Sequence, residues 1–228
     1  MENKKYEILE DNFILHEGRK LYRIRALKEI DLFGSPKITR GALGGYIEGY
    51  HNLSQDGNCW IAYEAMVYGN ARVENDAIVG GDAEVFDNAR VKDEARVYEY
   101  AKVHGNAVIK AGAKIGWHSN IYGNVVVRGF ADVIDDAKVY GNSEVFGNIT
   151  VGGYTKVYDN AKVHGNIEII TGAKNVFTLS NNSGSTFLVE GIGSICDNAK
   201  VYGINDIRTI ITLNNNVSGN SIICHNEK

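Results

Sequence analysis

Valine or isoleucine recurs at every sixth position from Ile61 to Ile169. A second series stands two residues ahead of it, is mostly alanine, and extends from Cys59 to Ala173. A helix needs apolar spacing of three and four and a simple strand needs spacing of two, so a period of six fits neither as a long element. The period predicts short strands joined by corners, each directing one small and one β-branched residue inward. We expect a regular coil with few loops left for chemistry.

The corners indicate that one coil closes after 18 residues. They are rich in Gly, Asn and Asp, which tolerate left-handed backbone. On one edge an aromatic ring follows each inward valine or isoleucine, at Tyr68, Phe86, His104, Tyr122, Tyr140 and Tyr158. An asparagine stands two places after each ring, at Asn70, Asn88, Asn106, Asn124, Asn142 and Asn160. The other two edges lack this uniformity, so the superperiod of three strands is present in the sequence itself.

The repeating motif resembles that of the bacterial transferase hexapeptide-repeat superfamily. In that motif a small residue stands four places after an aliphatic one, as in VYGNA at 67–71 and VYGNS at 139–143. The resemblance covers residues 53–173 and implies an all-β, left-handed parallel β-helix that usually forms a homotrimer. The handedness is implied by the resemblance alone, because spacing does not determine it.

A second resemblance lies upstream of the repeat. The segments GGYI at 44–47 and NLSQDGNCWI at 52–61 are similar to the N-terminal segment that precedes the repeat in a group of uncharacterised bacterial and phage hexapeptide-repeat proteins. Members of that group are often labelled transferases by fold alone. Such a label is an analogy, because one fold hosts many functions and activity depends on the site.

Composition argues against several other classes of protein. The chain has 228 residues and a formal net charge of −4, so bulk attraction to nucleic acid or to a membrane is not indicated. No apolar run approaches the roughly 18 residues of a spanning helix, and the N-terminus has no signal-peptide core, so we expect a cytoplasmic protein. Cys59, Cys196 and Cys224 form no CxxC motif, and neither a metal site nor a disulfide framework is predicted.

The repeat divides the chain into segments. Residues 1–52 are predicted to form an N-terminal β-rich cap over the first coil, with a strand at 20–27 where apolar and polar residues alternate. Residues 53–173 form the regular β-helix, of just under seven coils. Residues 174–194 break the register with a hairpin or loop, and residues 195–228 form irregular final coils and a tail.

The aromatic–asparagine edge is the most regular surface feature. Rings about 4.8 Å apart gain from offset stacking, and stacked amides hydrogen-bond along the axis, so we interpret this edge as a ladder that stiffens the coil. His104 is assigned to the same ladder. A stacking platform for bases or sugars, or a protein interface, is the alternative interpretation.

The second edge carries stacked cations, which repel one another unless they are compensated. A solvated face of mixed charge is one interpretation, since Asp76, Asp93, Glu94 and Asp132 lie nearby. An anion site is the other, and its candidate residues are Arg90, Lys92, Arg96, Lys110, Lys114 and Arg128. Val108 and Val126 point outward on the adjoining face, which favours a subunit contact and places the cations at an interface groove.

The third edge departs from the pattern at Gly116, Trp117 and His118. Asp136 follows His118 by one coil, and such a carboxylate can orient a histidine that acts as general base. Acyltransferases that resemble this fold use a histidine in this way, so His118 and Asp136 are the candidate catalytic residues if the protein is a transferase. A solvent-exposed His118 packed against Tyr100 is the structural alternative.

Three classes of function fit these features of the sequence. The sequence favours a non-catalytic binding or interaction protein, because no insertion interrupts residues 53–173. Its ligand would be small and anionic, phosphorylated or a nucleotide, bound at an interface of a homo-oligomer, and no cofactor is predicted. The alternatives are an acyl-CoA-dependent acyltransferase and a purely structural or protein-interaction module.

Overall fold

The computed structural model describes residues 4–32, 34 and 36–171, and beyond them short strands at 187–190, 194–195, 200–202, 209–212 and 222–223. It is an all-β, left-handed parallel β-helix with about 18 residues per coil, which confirms the predicted fold class. The strands in chain order are β1 (Tyr6–His16), β2 (Arg19–Ala26), β3 (Leu43–Ile47), β4 (Trp60–Ile61), β5 (Met66–Val67), β6 (Arg72–Val73), β7 (Ile78–Val79), β8 (Glu84–Val85), β9 (Arg90–Val91), β10 (Arg96–Val97), β11 (Lys102–Val103), β12 (Val108–Ile109), β13 (Lys114–Ile115), β14 (Asn120–Ile121), β15 (Val126–Gly129), β16 (Asp132–Val133), β17 (Lys138–Val139), β18 (Glu144–Gly153), β19 (Lys156–Val157), β20 (Lys162–Thr171), β21 (Phe187–Glu190), β22 (Ser194–Ile195), β23 (Lys200–Tyr202), β24 (Thr209–Thr212) and β25 (Ile222–Ile223).

Each coil pairs in parallel with the next, residue by residue. Val67 faces Val85, and Val85 faces Val103, so the inward valines stack along the axis. These valines, with small residues such as Ala83, are fully buried. Burying a valine side chain contributes about 1.5–3 kcal/mol, and a strict repeat collects this contribution at every strand.

The coil has three faces. Face one contains β3, β5, β8, β11, β14, β17, β19 and β22, and face two begins with β6, β9, β12 and β15. Face three contains β4, β7, β10, β13 and β16. β18 and β20 run around the corner from face two to face three and belong to both.

The corner residue two places after each inward residue takes left-handed backbone. Its φ is 65° at Gly69, 58° at Asp87 and 70° at Gly105 on successive coils. A bond from the amide of Asn88 to the carbonyl of Gly105 connects the corners of adjacent coils at 2.9 Å. The Gly, Asp and Asn residues seen in the sequence therefore turn the chain between strands.

The N-terminal segment covers the first coil. β1 and β2 form an antiparallel pair, β2 pairs with β3, and β3 joins the parallel stack beside β5. β2 is the strand predicted at residues 20–27. Beneath the first coil, the hydroxyl of Tyr6 donates to the carbonyl of Leu53 at 2.6 Å, and the backbone of Lys5 donates to the side chain of Gln55 at 2.7 Å.

A buried lysine closes the same end of the core. Nζ of Lys5 donates to the carbonyl of Cys59 at 2.9 Å and to those of Asp56 and Gly57 at 3.3 Å, and it lies 3.1 Å from Sγ of Cys59. Both side chains are fully buried. Burial lowers the pKa of Lys5 and raises that of the free Cys59 thiol.

The register break predicted at 174–194, the final coils at 195–228, and Cys196 and Cys224 lie outside the described residues, except for the five short strands. These strands continue the parallel stack. β21 pairs with β20 and β24, β22 with β19, and β23 with β20 and β25.

Candidate functional site

The three edges of the coil differ in what they display. The ladder edge carries the aromatic–asparagine corners that follow face one, from Tyr68 to Asn160. The cation edge carries the corners that follow face two, at 74–76, 92–94, 110–112, 128–130 and 146–148. The notched edge carries the corners that follow face three, at 62–64, 80–82, 98–100, 116–118, 134–136 and 152–154.

The aromatic rings and the asparagine amides of the ladder edge contact one another along the axis of the coil. From Tyr68 to Tyr158 the ring centroids lie 4.6–5.1 Å apart, with interplanar angles of 1–8°. The amide nitrogens from Asn70 to Asn142 each donate to the amide oxygen of the next coil at 2.8–3.3 Å. Both faces of the inner rings, from Phe86 to Tyr140, are occupied by neighbouring rings, which leaves a base or sugar no ring face to stack on.

A partly buried carboxylate connects this ladder to the cap. Glu84 accepts a hydrogen bond from the hydroxyl of Tyr68 at 3.1 Å and lies 2.7 Å from Nζ of Lys102 and 3.4 Å from Nε2 of His16. Burial opposes the charged form of Glu84, but these partners outweigh it and hold the pKa of Glu84 below its usual value.

The structure separates the six candidate cations. Arg128 is engaged on the cation edge, where its Nε donates to Glu144 at 2.8 Å and its guanidinium lies 4.0 Å from the ring centroid of Phe146. Arg90 donates to Glu74 at 2.6 Å, and Arg90 and Lys92 line a shallow cavity of about 350 Å³ whose wall includes the acidic residues Asp56 and Glu74. These positions have mixed charge.

Lys110 lies between these positions on the cation edge. It follows Ile109, which pairs in register with Val91 below and with Val127 above. The column Lys92, Lys110 and Arg128 is therefore formed as the superperiod predicts, although carboxylates contact its upper end and line the cavity at its lower end.

Arg96 and Lys114 lie together in a larger groove. They are register partners on β10 and β13, both outward on face three. The groove has a volume of about 590 Å³, and it reaches from face three onto the notched edge. Its lining includes Arg96, Lys114, Ile78, Tyr63, Tyr98, Gly80 and Glu99. A volume of this size is typical of small-molecule sites, which are mostly apolar with a few polar groups.

Electrostatics within and beside the groove favour a protonated tyrosine. Burial, together with the negative charges of Asp132 and Glu99, raises the pKa of the Tyr98 hydroxyl. Burial also raises the pKa of Asp132, and the positive charge of its register partner Lys114 opposes that rise. Tyr98 is therefore a neutral hydrogen-bond donor at ordinary pH.

The notched edge also exposes aromatic rings. Tyr63, Tyr100, Trp117 and Tyr154 are 74%, 52%, 56% and 64% exposed. Tyr63 and Trp117 occupy left-handed corner positions, with φ of 57° and 56°. Bulky residues rarely adopt this conformation, and residues held in such conformations cluster at functional sites.

The candidate catalytic pair is not joined in the structure. The ring of His118 stacks on Tyr100 with centroids 5.0 Å apart and an interplanar angle of 12°. His118 and Asp136 are both exposed, and no hydrogen bond or ion pair connects them among the contacts of the described residues. His118 thus lies as the structural alternative expects, packed against Tyr100.

The two outward valines predicted from the sequence lie on face two. Val108 and Val126 are register partners on face two and are partly exposed. In the part of the chain that the structure describes, no group of three or more His, Cys, Asp and Glu side chains is placed to hold a metal ion. Within the same residues, no helix is long and apolar enough to cross a membrane.

Sequence reasoning missed the groove residues Tyr63, Gly80 and Tyr98. Two signals could have indicated them. Glycine interrupts the column of corner residues on the third edge at Gly80, Gly116 and Gly152. Tyr63 and Trp117 stand where the other edges carry mostly Gly, Asp or Asn. Both signals are departures from the repeat, whereas the predicted site residues come mainly from its uniform columns.

No protein-family model matches this chain, and no curated protein matches it.

Proposed function

We propose that this protein is a non-catalytic β-helical binding protein whose groove on face three binds a small anionic ligand, phosphorylated or a nucleotide. The β-helical fold itself fits a structural or interaction module. Because the inward side chains fill the coil, ligands and partners have only the outer surface to bind.

One observation carries the proposal. Arg96 and Lys114 are adjacent register partners that line a groove of about 590 Å³, beside apolar and aromatic side chains. Two adjacent cations can both donate charge-assisted hydrogen bonds to the oxygens of one phosphate group. The other candidate cations lie outside this groove, since Arg90 and Lys92 line the smaller cavity with acidic walls and Arg128 packs on Phe146.

Binding of pyrophosphate tests the charge part of this proposal. The double substitution Arg96→Glu with Lys114→Glu should weaken binding at least tenfold, because it replaces attraction with repulsion at the anion. The matched control is Lys138→Glu with Lys156→Glu, two exposed register partners on face one that lie outside the groove. The control should bind within about twofold of the wild type. Equal weakening in both variants would indicate bulk charge rather than a site.

Native mass spectrometry of protein purified directly from cells gives a second test. A stoichiometric phosphorylated molecule, released and identified, supports the binding function. We also propose a homotrimer, because the register partners Val108 and Val126 leave apolar surface on face two. A monomer in the same spectrum would contradict the trimer and would leave the groove proposal unaffected.

A further inference from the structure

Two glycines on the edges of the coil are covered by aromatic rings of the chain itself. A methyl group built on Gly116 would lie 2.6 Å from Cζ of Tyr98, and one built on Gly112 would lie 2.8 Å from Cδ1 of Phe130. Each ring therefore occupies space that a side chain would otherwise take. The missing side chain is what allows a ring to pack closely on the coil at these positions.

Gly80 belongs to the same column of corner residues as Gly116, but no ring fills its place. A methyl group built on Gly80 would meet only Cδ2 of Tyr63 at 3.7 Å and Cβ of Ala62 at 3.8 Å, which are ordinary contact distances. Tyr98, from the next coil, packs on Gly116 instead. Gly80, which is itself buried, and Gly81 belong to the lining of the groove, together with Tyr63 and Tyr98.

The surroundings of this notch match a flat ring that carries an anion. Ile78 offers apolar contact, Tyr63 and Tyr98 offer ring contact, and Arg96 and Lys114 line the same groove with positive charge. Tyr63 is 74% exposed and is held in left-handed backbone, so its position adds little to the core. An aromatic ligand would cover that surface.

We propose that the notch over Gly80 receives an aromatic heterocycle, and that the ligand of the groove is a nucleotide whose phosphate contacts Arg96 and Lys114. This inference rests on the proposed function and specifies its ligand class. Stacking on tyrosine is tolerant of base identity, so the groove selects for a ring joined to an anion rather than for one base.

The test compares ligands that contain one or both parts. Affinities are measured for ribose 5-phosphate, adenosine, and the 5′-monophosphates of adenosine, guanosine, cytidine and uridine. At least one nucleotide should bind about tenfold more tightly than ribose 5-phosphate, because the ring adds stacking. If all four nucleotides only equal ribose 5-phosphate, the notch proposal is wrong and the anion site stands. If neither ribose 5-phosphate nor any nucleotide binds, the proposed function fails with it.

Gly80→Val separates the notch from the anion site. Space for Cβ exists at Gly80, so the variant should fold, with an unchanged circular dichroism spectrum and melting temperature. It should lose the advantage of nucleotide over ribose 5-phosphate and keep its affinity for ribose 5-phosphate. Tyr63→Ala, which removes one wall of the notch without filling it, should reduce the same advantage. Retention of the full advantage in both variants would overturn the proposal.

Discussion

The ladder edge and the notched edge run along the same coils, yet they treat aromatic rings in opposite ways. Tyr68 on the ladder edge is 3% exposed, and the inner rings above it are covered on both faces. Tyr63 and Trp117 on the notched edge are 74% and 56% exposed. Rings on the ladder edge stack on one another, whereas the exposed rings of the notched edge leave surface that no other part of the coil covers.

The backbone shows the same difference. Every left-handed corner from Gly69 to Asp159 on the ladder edge is Gly or Asp, whereas the notched edge places Tyr63, Glu99 and Trp117 at equivalent corners. Such a conformation costs about 1–2 kcal/mol for a residue with a side chain. The comparison indicates that uniform columns stabilise the coil, and the groove that we propose for binding lies where the columns depart from uniformity.

Loss of a ring should separate the two edges most clearly. Phe86→Ala removes two stacking contacts, at 5.1 and 4.6 Å, from a half-buried ring and should lower the free energy of unfolding by about 2–3 kcal/mol. Trp117→Ala removes an exposed ring and should change it by less than about 0.5 kcal/mol. Urea unfolding of both variants checks this, and similar losses would contradict the difference drawn between the edges.

The same substitution at two glycines gives a smaller contrast. Gly105 on the ladder edge has φ of 70°, and a Cβ there would lie 2.8 Å from the backbone nitrogen of Gly123. Gly105→Ala should therefore cost about 1–2 kcal/mol. Gly80→Ala, where Cβ meets only ordinary contacts, should stay within about 0.5 kcal/mol of the wild type. Thermal melting of the pair measures the contrast, and a stable Gly105→Ala protein would show that the corner relaxes.

The smallest effect concerns the charge that joins the ladder to the cap. Because the partners of Glu84 hold its pKa below the usual 4.5, it contributes stability above that pH and loses it as the pH falls through the folded-state value. Glu84→Gln should cost about 1 kcal/mol at pH 7, after allowing for solvent screening. The gap between variant and wild type should close below pH 4.5. A gap that persists in acid would assign it to packing instead.

The sequence predicts whatever the repeat determines. The inward valines and alanines specify the core, and the columns from Tyr68 and Asn70 specify which residues become neighbours along the axis. A column does not say whether a side chain turns to the coil below or the coil above it. His118 has Tyr100 on one side and Asp136 on the other, and it stacks on Tyr100. The groove was missed for the same reason, because it depends on the direction in which Tyr98 leans.

Contacts from outside the repeat are also not predictable from the period. Lys5 and Tyr6 donate to the carbonyls of Cys59 and Leu53, which lie more than 40 positions away in the sequence. The ion pair of Arg128 with Glu144 needs the side-chain geometry at a corner, since the two residues are neither in one column nor register partners. Periodicity constrains neither kind of contact.

Lys5, which closes the first coil, makes the beginning of the array different from its interior. Between two later coils, an inserted block of 18 residues would meet the same rows of amides and carbonyls that each coil meets now. A block placed before Leu53 would instead separate Lys5 from the carbonyls of Asp56, Gly57 and Cys59. Duplication of a coil can therefore lengthen the interior of the array but not its beginning, and the proposed groove would keep its distance from the start of the chain.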